Sequence, residues 1–124
     1  METAIWIAQG LLAAVLLMAG SMKLDQPKER LAASGQAWVE DFDARQVKGI
    51  GALEVLAAIG LILPAALDLV PVFTALAASG VVVLMFGAGA THLRRGELQM
   101  LPVNMLIGAL ALFIAIERFG PHSL

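Results

Sequence analysis

The chain of 124 residues suits one domain, residues 1–124, and carries eight Lys and Arg against ten Asp and Glu for a net charge of −2. Sixty per cent hydrophobic residues with 15% charged is too apolar for an ordinary soluble domain, and no basic stripe suggests a nucleic-acid partner. The absence of cysteine excludes disulfides, thiolate metal ligation and thiol redox chemistry by the protein itself.

The charge is segregated into short stretches between long apolar runs, the pattern of a protein that crosses a bilayer. Met1-Glu2 precedes the first run where a secretory signal would carry Lys or Arg, so that run is expected to be retained. It covers residues 3–22, about 20 residues, enough to cross ~30 Å of hydrocarbon at 1.5 Å per residue. Trp6 suits the aromatic belt, Gln9 an inter-helix hydrogen bond, and Gly10 with Ala14 a close helix contact.

Residues 23–46 are the hydrophilic insertion. Pro27 fits a first helical turn, and Leu31, Trp38, Val39 and Phe42 recur at helical spacing. A short amphipathic helix on the membrane surface is expected here, either a passive connector or a lid over a cavity. The second run, residues 47–63, holds Glu54 among Gly49, Gly51 and Gly60. Pro64 either kinks or ends it, and Pro71 is expected to close the following turn. The third run, residues 72–91, is rich in Gly and Ala and suits a crowded interior. His92-Leu93-Arg94-Arg95-Gly96-Glu97 leads out of it. The fourth, residues 102–116, starts at Pro102, with Glu117 and Arg118 marking its far end.

Four such runs with short connections predict an all-α, integral membrane, antiparallel four-helix bundle. Loops one and three then share one side, and both termini share the other with loop two. Lys23, Lys28, Arg30, Arg45, Lys48, Arg94 and Arg95 fall on the first side and only Arg118 on the second. The positive-inside rule therefore predicts an inner-membrane protein with both termini outside the cytoplasm.

Each run then contributes one polar group to the same half of the membrane: Lys23, Glu54, His92 and Asn104. Glu54 lies roughly 10 Å deep, counting 1.5 Å per residue from the start of its run. A carboxylate in an apolar site favours its neutral form unless a cation or donors stabilise it. Lys23 or protonated His92 would supply charge, and Asn104 hydrogen bonds. Glu54 and His92 are the candidate catalytic pair, as proton acceptor and shuttle. All four are candidate ligand contacts. Each also has a plainer role: Glu54 as a helix pin, His92 beside a helix dipole, Lys23 at the interface, Asn104 as a cap. One buried His and one buried carboxylate do not make a metal site, and a single His is a weak signal for haem. Met18, Met22, Met85, Met100 and Met105 read as packing residues that also suit an adaptable apolar pocket.

Gly20-Ser21-Met22-Lys23-Leu24, Gly49-x-Gly51-x-x-Glu54 with Gly60 and Pro64, and Ala88-Gly89-Ala90-Thr91-His92-Leu93-Arg94 together resemble the DoxX-like group of small four-helix bacterial membrane proteins. The resemblance covers nearly the whole chain. It implies a link to thiosulfate:quinone oxidation, from which the family takes its name, or an accessory place in a redox or detoxification system. It also marks Lys23, Glu54 and His92 as positions to carry over. The expected function is binding of a small lipophilic molecule, a quinone first, in a polar cavity of the bundle. The expected partners are the lipid bilayer, a redox partner protein and further copies of the chain. Two alternatives stand beside it: a proton or small-solute transporter acting as an oligomer, and a membrane isomerase using general acid–base catalysis.

Overall fold

The computed structural model describes residues 1–67 and 72–122. Four long helices are apolar enough to cross a membrane: α1 (Glu2–Asp25), α3 (Ala44–Leu67), α4 (Val72–Arg94) and α5 (Leu101–Phe119). A short helix, α2 (Lys28–Ala33), and a 3-10 turn at Ala37–Asp41 link α1 to α3. A second 3-10 turn, Leu98–Met100, leads into α5. No strand occurs among the described residues. The helices overrun the apolar runs at most of their ends, because polar residues there remain solvated while the backbone stays hydrogen-bonded. Pro64 sits inside α3, which continues to Leu67. The turn expected at Pro71 lies outside the described residues.

The spanning helices form a closed ring in which α1 packs on α3, α3 on α4, α4 on α5 and α5 back on α1. Leu12, Leu16, Ala58, Leu61, Val81 and Ile114 meet at its centre. Outside, Leu56, Val83, Phe86 and Met105 are exposed. Helices apolar on every face have lipid as their solvent. Between such helices association rests on close packing rather than on exclusion of water. α1 and α3 approach each other closely at Gly20 and Gly51. A Cβ on Gly20 would lie 2.6 Å from the Gly51 carbonyl oxygen, and one on Gly51 would lie 2.9 Å from the Gly20 oxygen. Gly10, expected at such a contact, instead has nothing within 4 Å of its Cβ position.

The connector is two helical pieces rather than one continuous helix. Gly35 adopts φ +103°, and the Gln36 N–H donates to the Leu31 carbonyl at 3.0 Å, a cap that stops α2. Pro27 is the cap before α2, not a residue of its first turn. The apolar residues still converge: Leu31, Val39 and Val47 are buried together, with Trp38 and Phe42 packed on them.

Candidate functional site

Side-chain direction decides how the polar groups meet. A helical Cα–Cβ bond tilts toward the helix N-terminus. Lys23, near the end of α1, therefore leans back toward the membrane centre instead of out to water. Glu54 on the antiparallel α3 leans toward the loop side. Gly20 and Gly51, each three residues before its charged neighbour, let the two backbones touch. The result is an ion pair with Lys23 Nζ 2.8 Å from Glu54 Oε1, each side chain 8% exposed. The Trp38 ring of the connector lies over the ammonium, 5.6 Å away. Ala19 O, one turn back on α1, accepts from Lys23 at 3.5 Å. Despite its short distance to Lys23, Glu54 Oε1 receives no aligned hydrogen bond.

His92 is held elsewhere. Gly96, at φ +73°, ends α4 with two capping bonds, Glu97 N–H to His92 O at 2.8 Å and Gly96 N–H to Leu93 O at 3.2 Å. That reversal carries the Glu97 carboxylate back to His92, with Nδ1 2.8 Å from Oε1. A carboxylate accepts, so this contact suits a proton on Nδ1. Arg95 then joins loop to loop: it contacts Glu97 at 3.2 Å, Asp41 at 2.8 Å and Glu40 at 3.1 Å. Among the described residues no hydrogen bond or ion pair links His92 to Glu54.

Asn104 is separate again. It lies in the first turn of α5, beside a groove of about 540 Å³ between α4 and α5. Val82, Met85, Phe86, Gly89 and Gly108 are among the apolar residues of its wall. The Asn104 Nδ2 is buried and has no hydrogen-bond partner. Of the four polar groups placed by the sequence on one half of the bundle, the structure brings Lys23 and Glu54 into contact. His92 sits at a second point and Asn104 at a third.

A family model, that of the DoxX-like family, matches residues 7–114. The chain belongs to the DoxX-like family. No curated protein matches it, and no solved structure does. The matched region includes Lys23, Glu54, His92 and Asn104 and makes this a multi-pass membrane protein of that family.

Just beyond the matched region, this DoxX-like protein buries the residue that the sequence marks as a helix end and as the one cation on the terminal side. Arg118 is 3% exposed. Its Nε donates to Gln9 Oε1 at 2.8 Å, and its Nη1 donates to Glu2 at 2.9 Å and to the His122 carbonyl at 2.9 Å. Gln9 in turn donates to the Leu61 carbonyl at 2.7 Å, the inter-helix bond anticipated for it. The Trp6 ring stacks near the guanidinium at 5.6 Å. The sequence did carry a signal: Ala111, Ile114, Ala115 and Arg118 recur at helical spacing on the core face of α5.

The loop contact makes a pH prediction. The hydrogen bond from His92, then the one from Arg95, holds the Glu97 carboxyl below its ordinary value of 4.5. A depressed carboxyl pKa contributes stability above the unfolded value, and that contribution is lost as pH falls through the folded value. The difference in thermal stability between wild type and Glu97→Gln should therefore stay constant down to about pH 5 and shrink below pH 4.5. A difference that shrinks already between about pH 7 and 5 would refute this assignment.

Proposed function

We propose that this DoxX-like protein binds a small lipophilic molecule with a hydrogen-bond-accepting head, a quinone being the leading candidate, in the groove between α4 and α5. The observation that carries the reading is the buried, partnerless Asn104 amide beside an otherwise apolar groove. Its volume of about 540 Å³ falls in the range of small-molecule pockets, and one polar group among apolar walls is their usual composition. A buried N–H left without a partner is costly, so a ligand carbonyl there gains a full hydrogen bond. Glu54 is engaged by Lys23 and His92 by Glu97, which leaves the amide as the donor for the ligand. Asn104 is at the loop end of the groove, whereas Gly108 and Leu112 lie one and two turns deeper. The head therefore sits near the loops and the tail runs toward the membrane centre. A soluble redox partner would approach a head held at that depth from the loop side, which suits an accessory subunit.

Titration of the purified protein with ubiquinone and menaquinone tests the reading. Asn104→Leu should weaken binding roughly tenfold, the worth of one hydrogen bond whose partner stays unsatisfied. Gly108→Leu should block the groove. Glu54→Gln should leave the affinity of the folded fraction unchanged. Equal affinity for wild type, Asn104→Leu and Gly108→Leu would refute it.

A further inference from the structure

A second concavity, of about 340 Å³, opens on the loop side where α1 ends and α2 and α3 begin. Lys23, Asp25, Lys28, Glu29, Val47 and Lys48 are among its lining residues. Its level is that of the headgroups, since it lies where α1 ends at Asp25 and α3 begins at Ala44, beyond the apolar runs. We propose that this cleft binds a zwitterionic phosphoamine headgroup, its phosphoryl oxygens accepting from Lys23 and Lys28 and its ammonium facing Asp25 and Glu29.

Lys23 supplies the first reason. Its ammonium carries three donors, and its side chain is more than nine-tenths buried. Ala19 O takes one donor at 3.5 Å, while Glu54 Oε1, though 2.8 Å away, is not aligned to accept another. A buried ammonium with spare donors favours a further acceptor, and Lys23 is among the residues that line the cleft. Charge supplies the second reason. Lys23 is balanced by Glu54, and Lys48 donates to the Leu24 carbonyl at 2.9 Å, capping α1. Lys28 remains against Asp25 and Glu29. A purely anionic group would meet two carboxylates at the rim, and a purely cationic one would meet the lysines. A group carrying both signs at phosphoamine spacing finds a partner for each.

The same headgroup chemistry occurs in a membrane lipid and in its water-soluble glycerophospho form, and the test separates them. In Trp6→Phe, which keeps an aromatic face beside Arg118, Trp38 is the sole tryptophan and lies 5.6 Å from Lys23 Nζ. Its fluorescence is titrated in detergent with short-chain phosphatidylethanolamine and phosphatidylglycerol. The ethanolamine lipid should bind about tenfold more tightly, from one additional charge-assisted contact. Lys28→Glu should weaken it about tenfold, and Asp25→Asn with Glu29→Gln should erase the preference. These three positions lie outside the spanning core, so the variants test the site without removing the buried pair. Competition by glycerophosphoethanolamine would identify the headgroup alone as the ligand. Binding that resists such competition would identify the intact lipid. Equal binding of the two lipids by wild type, or a preference untouched by the charge variants, overturns the proposal. Asn104→Leu should change none of these signals, so this result and that for the α4–α5 groove stand or fall separately.

Discussion

Glu54→Leu is expected to destabilise the folded bundle by about 3–5 kcal/mol, the cost of removing one member of a buried ion pair and leaving the other charged. Lys23→Met should cost about the same. Neither survivor has a neighbour ready to replace its partner: Lys23 would keep one weak bond to Ala19 O and the Trp38 ring. Trp38 would hold back only part of the loss, about 0.5–2 kcal/mol for a cation on an aromatic face. The double variant Lys23→Met/Glu54→Leu should recover most of the loss, because an apolar pair of similar size avoids the desolvation that both charges carry. Unfolding midpoints in mild detergent for wild type, both single variants and the double variant make the cycle. Two unaffected single variants would mean that the pair is not formed in the membrane. A double variant as damaged as either single one would mean that the two side chains stabilise the bundle through contacts beyond each other.

The four spans were legible because length and hydropathy are properties of continuous segments, and lipid-facing helices need no pairing information. The polar half of the bundle was legible as a level in the membrane, since helix direction alternates. Contact within that level was not. Lys23 reads equally well as an interfacial lysine until the tilt of Cα–Cβ bonds on two antiparallel helices is taken with the Gly20–Gly51 approach. His92 was placed at a helix end but not with its partner. Its contact depends on a left-handed Gly96 folding Glu97 back by five residues, and only loop geometry reveals that. Gly35 divides the connector for the same reason: an apolar spacing of helical appearance persists across a break in the backbone. Arg118 was underread because its charge was counted toward membrane orientation, whereas its position on the face of Ala111 and Ile114 puts it in the core.

Gly20→Ala should destabilise the protein, and Gly20→Val should do so more strongly, by about 1–3 kcal/mol from overpacking alone. The first added carbon would lie 2.6 Å from the Gly51 oxygen and 2.8 Å from a Val55 methyl. A backbone oxygen cannot turn aside as a flexible side chain can, so α1 and α3 must separate. Their separation also lengthens the Lys23–Glu54 contact, which lies one helical turn away. Gly20→Ala and Lys23→Met should therefore be non-additive, with the glycine substitution costing less once the ion pair is gone. Gly80→Ala is the contrasting substitution. Nothing lies within 4 Å of its Cβ position, and replacing a mid-helix glycine there should stabilise by about 0.5–1 kcal/mol. The opposite signs at Gly20 and Gly80 separate close packing from helix propensity, since propensity alone would favour alanine at both. If Gly20→Ala proves as benign as Gly80→Ala, the two helices do not touch at Gly20, and the placement of Lys23 beside Glu54 fails with that contact.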